Sequence, residues 1–423
     1  MIIIHAMEHL HTLARVAEPA LQRDLRDFPV VVVVGPRQVG KSTLVRDSKL
    51  GRERLYLTLD DLDLLGEARS QPERLLGRAP LVTVDEIQRA PELLLAIKRE
   101  VDRRRSPGRF LVTGSADIRA MKGVADHLPG RAVYLHLEPM SVAELAGDPE
   151  DTAWSALFAC KTPSAAREVL AARKRRALDF EAQILKGGLP PAALMENDAT
   201  RRRWFESYLH AWLERGPAEL GSAADLPDLK RLMQAAAARL GGLLNQADLA
   251  RDVGLPRTTA HRNLSLLSVG LLLDLLPAYS RSRSRRLVKS PKVYWRDPGL
   301  AAHLMGLASR AQLRSERGWG ALLENLVLSN LRAWASNEGE ATDIHYWRTA
   351  SGREIDFVVE RGGRVFPIEV KSSRRVTQAD ITHIEVFLAE HPKQATFGIV
   401  LNDGPTTEMI APNVIAAPIS AVM

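Results

Sequence analysis

The chain has 423 residues, 45% of them apolar, enough for ordinary cores in roughly two to four domains. Lysine and arginine outnumber the acids 58 to 51, and the resulting net charge of +7, with a pI near 9.6, favours an anionic partner. A single cysteine, Cys160, excludes an internal disulfide and a cysteine-built zinc site, and suits a reducing cytoplasm. The start, Met1 to His5, lacks the basic and apolar regions of a secretion signal. Leu264 to Pro277 is apolar but short and interrupted by Ser265, Ser268 and Asp274, so no bilayer span is expected. The expectation is a soluble cytoplasmic protein with no membrane partner.

In chain order, the first strong element is the apolar run Val30 to Val34, which reads as a buried strand. Gly35, Pro36, Arg37, Gln38, Val39, Gly40, Lys41 and Ser42 follow and fit G-x-x-x-x-G-K-[ST], with a helix expected to begin at Thr43. A strand feeding a glycine-bounded loop and a helix points several backbone N–H groups at one spot, where phosphate is the natural occupant. Lys41 would reach the β- and γ-phosphates of ATP, and the Ser42 hydroxyl would coordinate Mg²⁺. Leu55 to Leu59 reads as a further strand and Leu62 to Leu76 as a mostly helical connection. Leu81 to Val84 is another strand, ending in Asp85 and Glu86, where acids face the ligand crevice of an open α/β sheet. Asp85 would hold Mg²⁺ through water and Glu86 would polarise the attacking water, while the same pair also suits a plain helix cap. Pro91 to Arg105 reads as an amphipathic helix, and Phe110 to Ser115 as a strand ending in small polar residues. There, Ser115 or Thr113 would sense the γ-phosphate, unless the segment is only a strand-to-loop turn.

Residues 146 to 240 read as helical and arginine-rich, broken by Gly187, Gly188 and Pro190 into an ATPase lid and a connector. Asn245 caps Gln246 to Val253, Gly254 makes a tight turn, and Arg257 to Leu267 forms a second helix, which is helix-turn-helix spacing. Leu249, Val253, Ala260, Leu264 and Leu267 would pack inward, leaving Arg257, Thr258, His261 and Arg262 outside as candidate DNA contacts. Leu271 to Leu276 and Leu287-Val288 would form a hairpin, completing a winged helix whose loop carries Arg281, Arg283, Arg285, Arg286 and Lys289. A run this basic suits phosphate contact. The competing readings are a solvated face and a winged helix that serves as a protein–protein module or a lid.

The last segment holds Arg353 to Glu360 and Val365 to Lys371 around Gly362-Gly363, a pair that tolerates the positive φ of a two-residue hairpin turn. The register then sets Asp356 opposite Glu369 and Glu354 opposite Lys371, with Ile355, Phe357, Val359, Phe366, Ile368 and Val370 on one apolar face. Two carboxylates and a lysine so placed resemble the D…ExK constellation of a large nuclease superfamily. Such oxygen ligands bind Mg²⁺, and Lys371 would orient or activate water. Glu324, on the helix Gly320 to Trp334, matches the acid that many such folds add from their first helix. The alternative is cross-strand ion pairing on a solvated face, against which stands the direct opposition of two like charges, Asp356 and Glu369. A helix Ala379 to Glu390 and a strand Ala395 to Leu401 would follow.

Taken together, Gly35 to Thr43, Asp85 to Gln88, Phe110 to Ser115, Leu128 to Arg131, Trp204 to Tyr208, Leu287 to Lys292, Gly320 to Asn325 and Glu369 to Ser373 resemble a family of bacterial and archaeal AAA-superfamily ATP-binding proteins. Its members carry a C-terminal domain of formally unknown function with PD-(D/E)xK nuclease-like motifs. The resemblance covers nearly the whole chain and implies a homo-oligomeric ATPase with Arg131 as candidate arginine finger. It departs from the family where Glu214-Arg215 is followed by Gly216-Pro217 instead of an acid, which puts any role of that acid in doubt. The expected architecture is α/β. It comprises a P-loop AAA-type core (1–145), a helical lid and connector (146–240), a winged helix-turn-helix (241–315) and a restriction-endonuclease-like domain (316–423). The expected function is an ATP-hydrolysing, DNA-associated ATPase, a motor or remodeller of DNA, structured or branched forms included, whose C-terminal domain binds or cleaves DNA with Mg²⁺. The alternative is a nucleotide-gated switch or assembly protein with a non-catalytic C-terminal clamp.

Overall fold

The computed structural model describes all residues except 1–12, 48–51, 116–127, 151–152, 174–177, 221, 223, 283, 285 and 287–288. Its first sheet is built from β1 (Val30–Val34), β2 (Leu55–Thr58), β3 (Val82–Asp85), β4 (Phe110–Gly114) and β5 (Ala132–His136). All pairings are parallel, in the order β2-β3-β4-β1-β5. A parallel sheet must be covered on both faces, and the five valines of β1 are fully buried. Strand alternation sends Val31 and Val33 into one apolar cluster, and Val30, Val32 and Val34 into another. The second cluster is closed by the helices Leu62–Ser70, Pro72–Leu76 and Leu93–Arg103. The carboxyl ends of β1, β3 and β4 lie side by side, so the loops that leave them share one edge.

Past this sheet the chain is helical through Asp198–Glu219, Leu226–Ala237, Gln246–Asp252 and Arg257–Val269. The first of these continues through Pro217, and Gly216 there lies so close to the Trp212 ring that a Cβ would sit 2.9 Å from it. Asn245 caps its helix as expected, accepting from the N–H groups of Ala247 and Asp248, and Gly254 takes φ +69° in the turn. Leu249, Ala260, Leu264 and Leu267 are buried, with Val253 partly so. The hairpin that follows corrects the sequence reading. β6 (Leu273–Leu276) pairs with β7 (Lys292–Trp295), a strand later than the expected Leu287-Val288, which lies outside the described residues. Length explains the choice, because β7 offers four consecutive buried residues to a buried partner.

The C-terminal sheet runs β12-β13-β11-β10-β9-β8, with β8 (Thr342–Arg348), β9 (Glu354–Arg361), β10 (Arg364–Val370), β11 (Gly398–Asn402), β12 (Glu408–Ala411) and β13 (Val414–Pro418). Helix Trp319–Ala335 covers one face and Gln378–Glu390 the other. Gly362 and Gly363 turn the β9–β10 hairpin at φ +56° and +73°, and Arg361 pairs with Arg364 through to Phe357 with Ile368, the predicted register. Two expectations fail beyond that point. A register shift between His345 and Trp347 on β8 moves Ile355 into the opposite cluster with Trp347, Val358 and Val365, so both faces of the hairpin are apolar. The ladder also ends at Phe357–Ile368, and the Asp356 side chain instead accepts the Val370 N–H at 2.9 Å. β8 is joined to the first hairpin as well, because Tyr346 donates to Pro277 and receives the Tyr279 N–H.

The helical layer is tied together by Asp297. Its buried carboxylate accepts N–H groups from Gly188 (2.6 Å), Leu189 (3.0 Å) and Leu300 (2.7 Å), and burial raises its pKa against those donors. Gly187, at φ +65°, lies so near that any Cβ would collide with this carboxylate. Asp297→Ala is therefore expected to destabilise the fold by at least about 3 kcal/mol, three buried donors each costing about 1 kcal/mol or more when left unmet. Urea denaturation checks this, and Asp297→Asn, which keeps an acceptor, should lose less. An unchanged midpoint for the alanine variant would contradict the assignment.

Candidate nucleotide site and a carboxylate centre

At the carboxyl end of β1 the chain bends through Gly35, Gln38 (φ +59°) and Gly40 (φ +98°) into a helix that starts at Lys41, two residues earlier than expected. Lys41 is buried, and its ammonium donates to the Gly35 and Pro36 carbonyls at 3.0 and 2.9 Å. Burial lowers its pKa, while Glu86 and Asp85 push it back up. Both acids sit at the neighbouring strand end. Asp85 is 3% exposed and accepts the Tyr56 hydroxyl at 2.5 Å and the Thr113 hydroxyl. Thr113 in turn accepts the Glu86 N–H at 3.0 Å, so one side chain touches both acids. Glu86 holds a left-handed φ of +60°, a strained geometry for this residue type, and its carboxylate receives the Ser115 hydroxyl at 2.9 Å and the Gln88 amide. Tyr56 also meets the Ser42 side chain, which places Ser42 beside Asp85 through one phenol.

Three residues that sequence reading missed build this edge. Tyr56 lies on the outer strand β2, the second residue of an alternation that read only as a strand. Arg15 pairs with Glu144 at 2.8 Å and donates to the carbonyls of Val39 and Glu138, bracing the loop from outside. Glu219, at the end of the long helix, forms an ion pair with Arg37 of the loop. Arg131 is placed differently from the others. It precedes β5, level with the start of β1, about 16 Å along the strand direction from the phosphate loop, and is paired with Asp102 at 2.6 Å. It does not reach its own chain's loop.

The candidate DNA contacts divide into two groups. Arg257, Thr258, His261 and Arg262 are exposed on one helix. Among the described residues, three loop cations contact the C-terminal domain. Arg286 pairs with Glu360 at 2.7 Å and stacks on Tyr279, Arg281 donates to the Glu390 carbonyl, and Lys289 donates to the Arg348 carbonyl at 3.1 Å. All three bind the C-terminal sheet or the helix that covers it. Arg283 and Arg285 lie outside the described residues.

The carboxylate centre also departs from expectation. Asp356 and Glu369 are buried, and Lys371 pairs with Glu369 at 2.8 Å. Glu354 turns from Lys371 to Arg348 (3.0 Å) and to Lys292 (2.5 Å). Lys292 comes from β7, is 2% exposed, and also lies 3.4 Å from Asp356 and 3.7 Å from Glu324. Its neighbour Tyr294 donates to Glu324 at 2.6 Å. Burial first, and then the charge of Asp356, push the Glu324 and Glu369 carboxyls up to about 8. Burial works against the Lys292 ammonium, but Asp356, Glu324 and Glu354 hold its pKa above the ordinary value. Among the described residues, Glu324, Asp356 and Glu369 do not close into a three-ligand cluster. Asp343, His345 and Glu360 do, with ligand atoms within 4.8 Å of one another. The expected metal set is thus held open around a lysine.

Comparison with known proteins places the chain. Residues 27–146 match the AAA domain family, and residues 177–311 and 319–422 match two families described as domains of unknown function, DUF8612 and DUF4143. Residues 27–146 therefore form an AAA-type P-loop ATPase domain. Protein Rv2008c of Mycobacterium tuberculosis and protein Mb2031c of Mycobacterium bovis, both described as uncharacterised, are each 31% identical over 359 residues, 84% of this chain and 73% of theirs. The chain belongs to the same family as these two. Among solved structures, the Walker-type ATPase PABY2304 of Pyrococcus abyssi is 16% identical, covers 70% of this chain and 99% of its own, and gives a TM-score of 0.42. The Holliday junction branch migration motor RuvB of Thermotoga maritima is 19% identical, covers 64% and 89%, and gives 0.27. These two likenesses are too loose to bear on anything finer. No described helix is long and apolar enough to cross a membrane.

Because Tyr56 orients Asp85 and touches Ser42, Tyr56→Phe is expected to raise the Mg²⁺ concentration needed for half-maximal ATP turnover by about five-fold, one hydrogen bond being worth about 1 kcal/mol. Magnesium titration of steady-state turnover reads this, and an unchanged midpoint would remove Tyr56 from the site.

Proposed function

We propose that this protein is a cytoplasmic, homo-oligomeric ATPase that hydrolyses ATP with Mg²⁺ and uses the cycle to rearrange itself on DNA. The observation that carries this reading is the ion pair between Arg37 of the phosphate loop and Glu219, which ends the long helix; the helices Leu226–Ala237 and Gln246–Asp252 join it to Arg257–Val269, whose outer face is exposed. Lys41 carries the charge that meets the β- and γ-phosphates, and its present partners are two carbonyls that a phosphate displaces without stranding either charge. Ser42 and Asp85 offer the hard oxygens that Mg²⁺ prefers, Asp85 being buried and already oriented by two hydroxyls. The bound ion would neutralise charge on the phosphates. Glu86, held by Ser115, orients and polarises water, and Thr113 links it to Asp85 so that both respond to the same phosphate. Arg131, remote from its own loop, acts on the site of a neighbouring subunit. When triphosphate attracts Arg37, Glu219 loses its partner and the long helix is freed to shift.

The helix pair with its β6–β7 hairpin is read as a winged helix, and Arg257, Thr258, His261 and Arg262 as its DNA face. The helix, hairpin, helix and strand order of the C-terminal sheet supports a restriction-endonuclease-like fold, which serves here as a clamp. A second reading, in which Asp356, Glu369 and Lys371 cleave DNA, is favoured by their convergence at one strand end, but requires Lys292 to leave.

Two outcomes test the main reading. Glu86→Gln is expected to lower ATP turnover by about 10²- to 10⁴-fold, the usual contribution of a positioned base, with ATP affinity changed little. Retained turnover would exclude Glu86 from that role. Replacing Arg257 and Arg262 together by alanine should weaken DNA binding and reduce the slope of log affinity against log salt by about 2, close to one unit for each phosphate no longer neutralised. An unchanged slope, measured by fluorescence anisotropy, would point to a protein partner for this face.

A further inference from the structure

We infer that the acidic centre of the C-terminal domain is built around the Lys292 ammonium in place of a divalent metal, and that it acts as a charge lock joining the β6–β7 hairpin to the six-stranded sheet. Three carboxylates, Glu354, Asp356 and Glu324, surround the ammonium at 2.5, 3.4 and 3.7 Å. That is the position a metal shared between these acids would take, and a lysine and a metal cannot both occupy it. The ammonium cannot easily withdraw. The Lys292 backbone is paired to Leu276 and bridged to Leu243, Val293 to Trp295 are buried behind it, and its side chain is 2% exposed. Tyr294, on the same strand, fixes Glu324 from a second direction.

The same segment repeats the device a few residues earlier. Asp343, His345 and Glu360 are close enough to share a cation, and Arg286 already pairs with Glu360 at 2.7 Å and approaches His345 at 3.4 Å. These two acid clusters thus each receive a positive charge from the hairpin or its connecting loop, Lys292 from β7 and Arg286 from the loop before it. Removing either partner of such a buried pair leaves an uncompensated charge. The lock thus stabilises one arrangement of hairpin against sheet and keeps hard cations out. It stands whether or not the ATPase and DNA readings hold.

Mn²⁺ binding to nucleotide-free full-length protein, followed by electron paramagnetic resonance, tests the lock. In the natural chain Asp356→Asn is expected to leave Mn²⁺ binding unchanged, because Asp356 holds no metal there. Lys292→Ala is expected to add one Mn²⁺ site per chain that the parent lacks, and adding Asp356→Asn to it should abolish that site. Lys292→Arg, which keeps the charge, should bind as the parent does. Asp356-dependent Mn²⁺ binding in the natural chain would overturn the proposal, and so would a well-folded Lys292→Ala chain that gains no site. If Lys292→Ala fails to fold, the Asp356→Asn comparison in the natural chain still decides the matter.

Discussion

An ionised side chain removed from water must meet a counter-charge or a full set of hydrogen bonds, since an unmet buried charge costs several kcal/mol. Four buried charges organise this molecule under that constraint: Lys41, Asp85, Asp297 and Lys292. Asp297 is satisfied by backbone N–H groups, so it fixes geometry. Lys292 is satisfied by carboxylates from two other parts of the chain, so it fixes the relation between them. Asp85 is met by hydroxyls and Lys41 by carbonyls, neutral partners that a phosphate and a cation readily outbid. The permanent joints and the changeable site are therefore distinguished by the kind of partner each charge has.

This distinction gives the functional reading its shape. The carboxyl edge of the parallel sheet gathers the phosphate loop, both acids and Thr113 because parallel strands end together. Arg37 links that edge to Glu219 at the end of the long helix. Beyond it, Asp297 ties the helical layer together and Lys292 ties the hairpin to the C-terminal sheet. Arg281, Arg286 and Lys289 of the basic loop contact this framework, while Arg257, Thr258, His261 and Arg262 are exposed on their helix.

What could be read in advance depended on how local each feature is. The phosphate loop, the Asp85-Glu86 strand end and the Asn245 cap are complete within a few consecutive residues, so sequence alone located them. The Gly362-Gly363 turn fixed a register because a two-residue hairpin leaves no freedom. Ile355 was misplaced because β9 carries one extra residue against β8 between Ile355 and Val358, with no residue type to announce it. Tyr56, Arg15 and Glu219 act across long separations, and nothing in their neighbourhoods marks them. Lys292 was hidden by its company, following closely on the basic run Arg281 to Lys289, although lysines are seldom buried unless paired. A signal was present in Lys292-Val-Tyr-Trp295, an apolar strand beginning with a lysine directly before Asp297.

The central claim is that occupancy of the phosphate loop is felt at the Glu219 end of the long helix and beyond it in Arg257–Val269. Amide hydrogen exchange of the full chain, with and without a non-hydrolysable ATP analogue and Mg²⁺, measures this directly. The account predicts altered protection in the last turns of Asp198–Glu219 and onward into Arg257–Val269, in addition to the loop itself. Changes confined to the five-stranded sheet and its loops would contradict it.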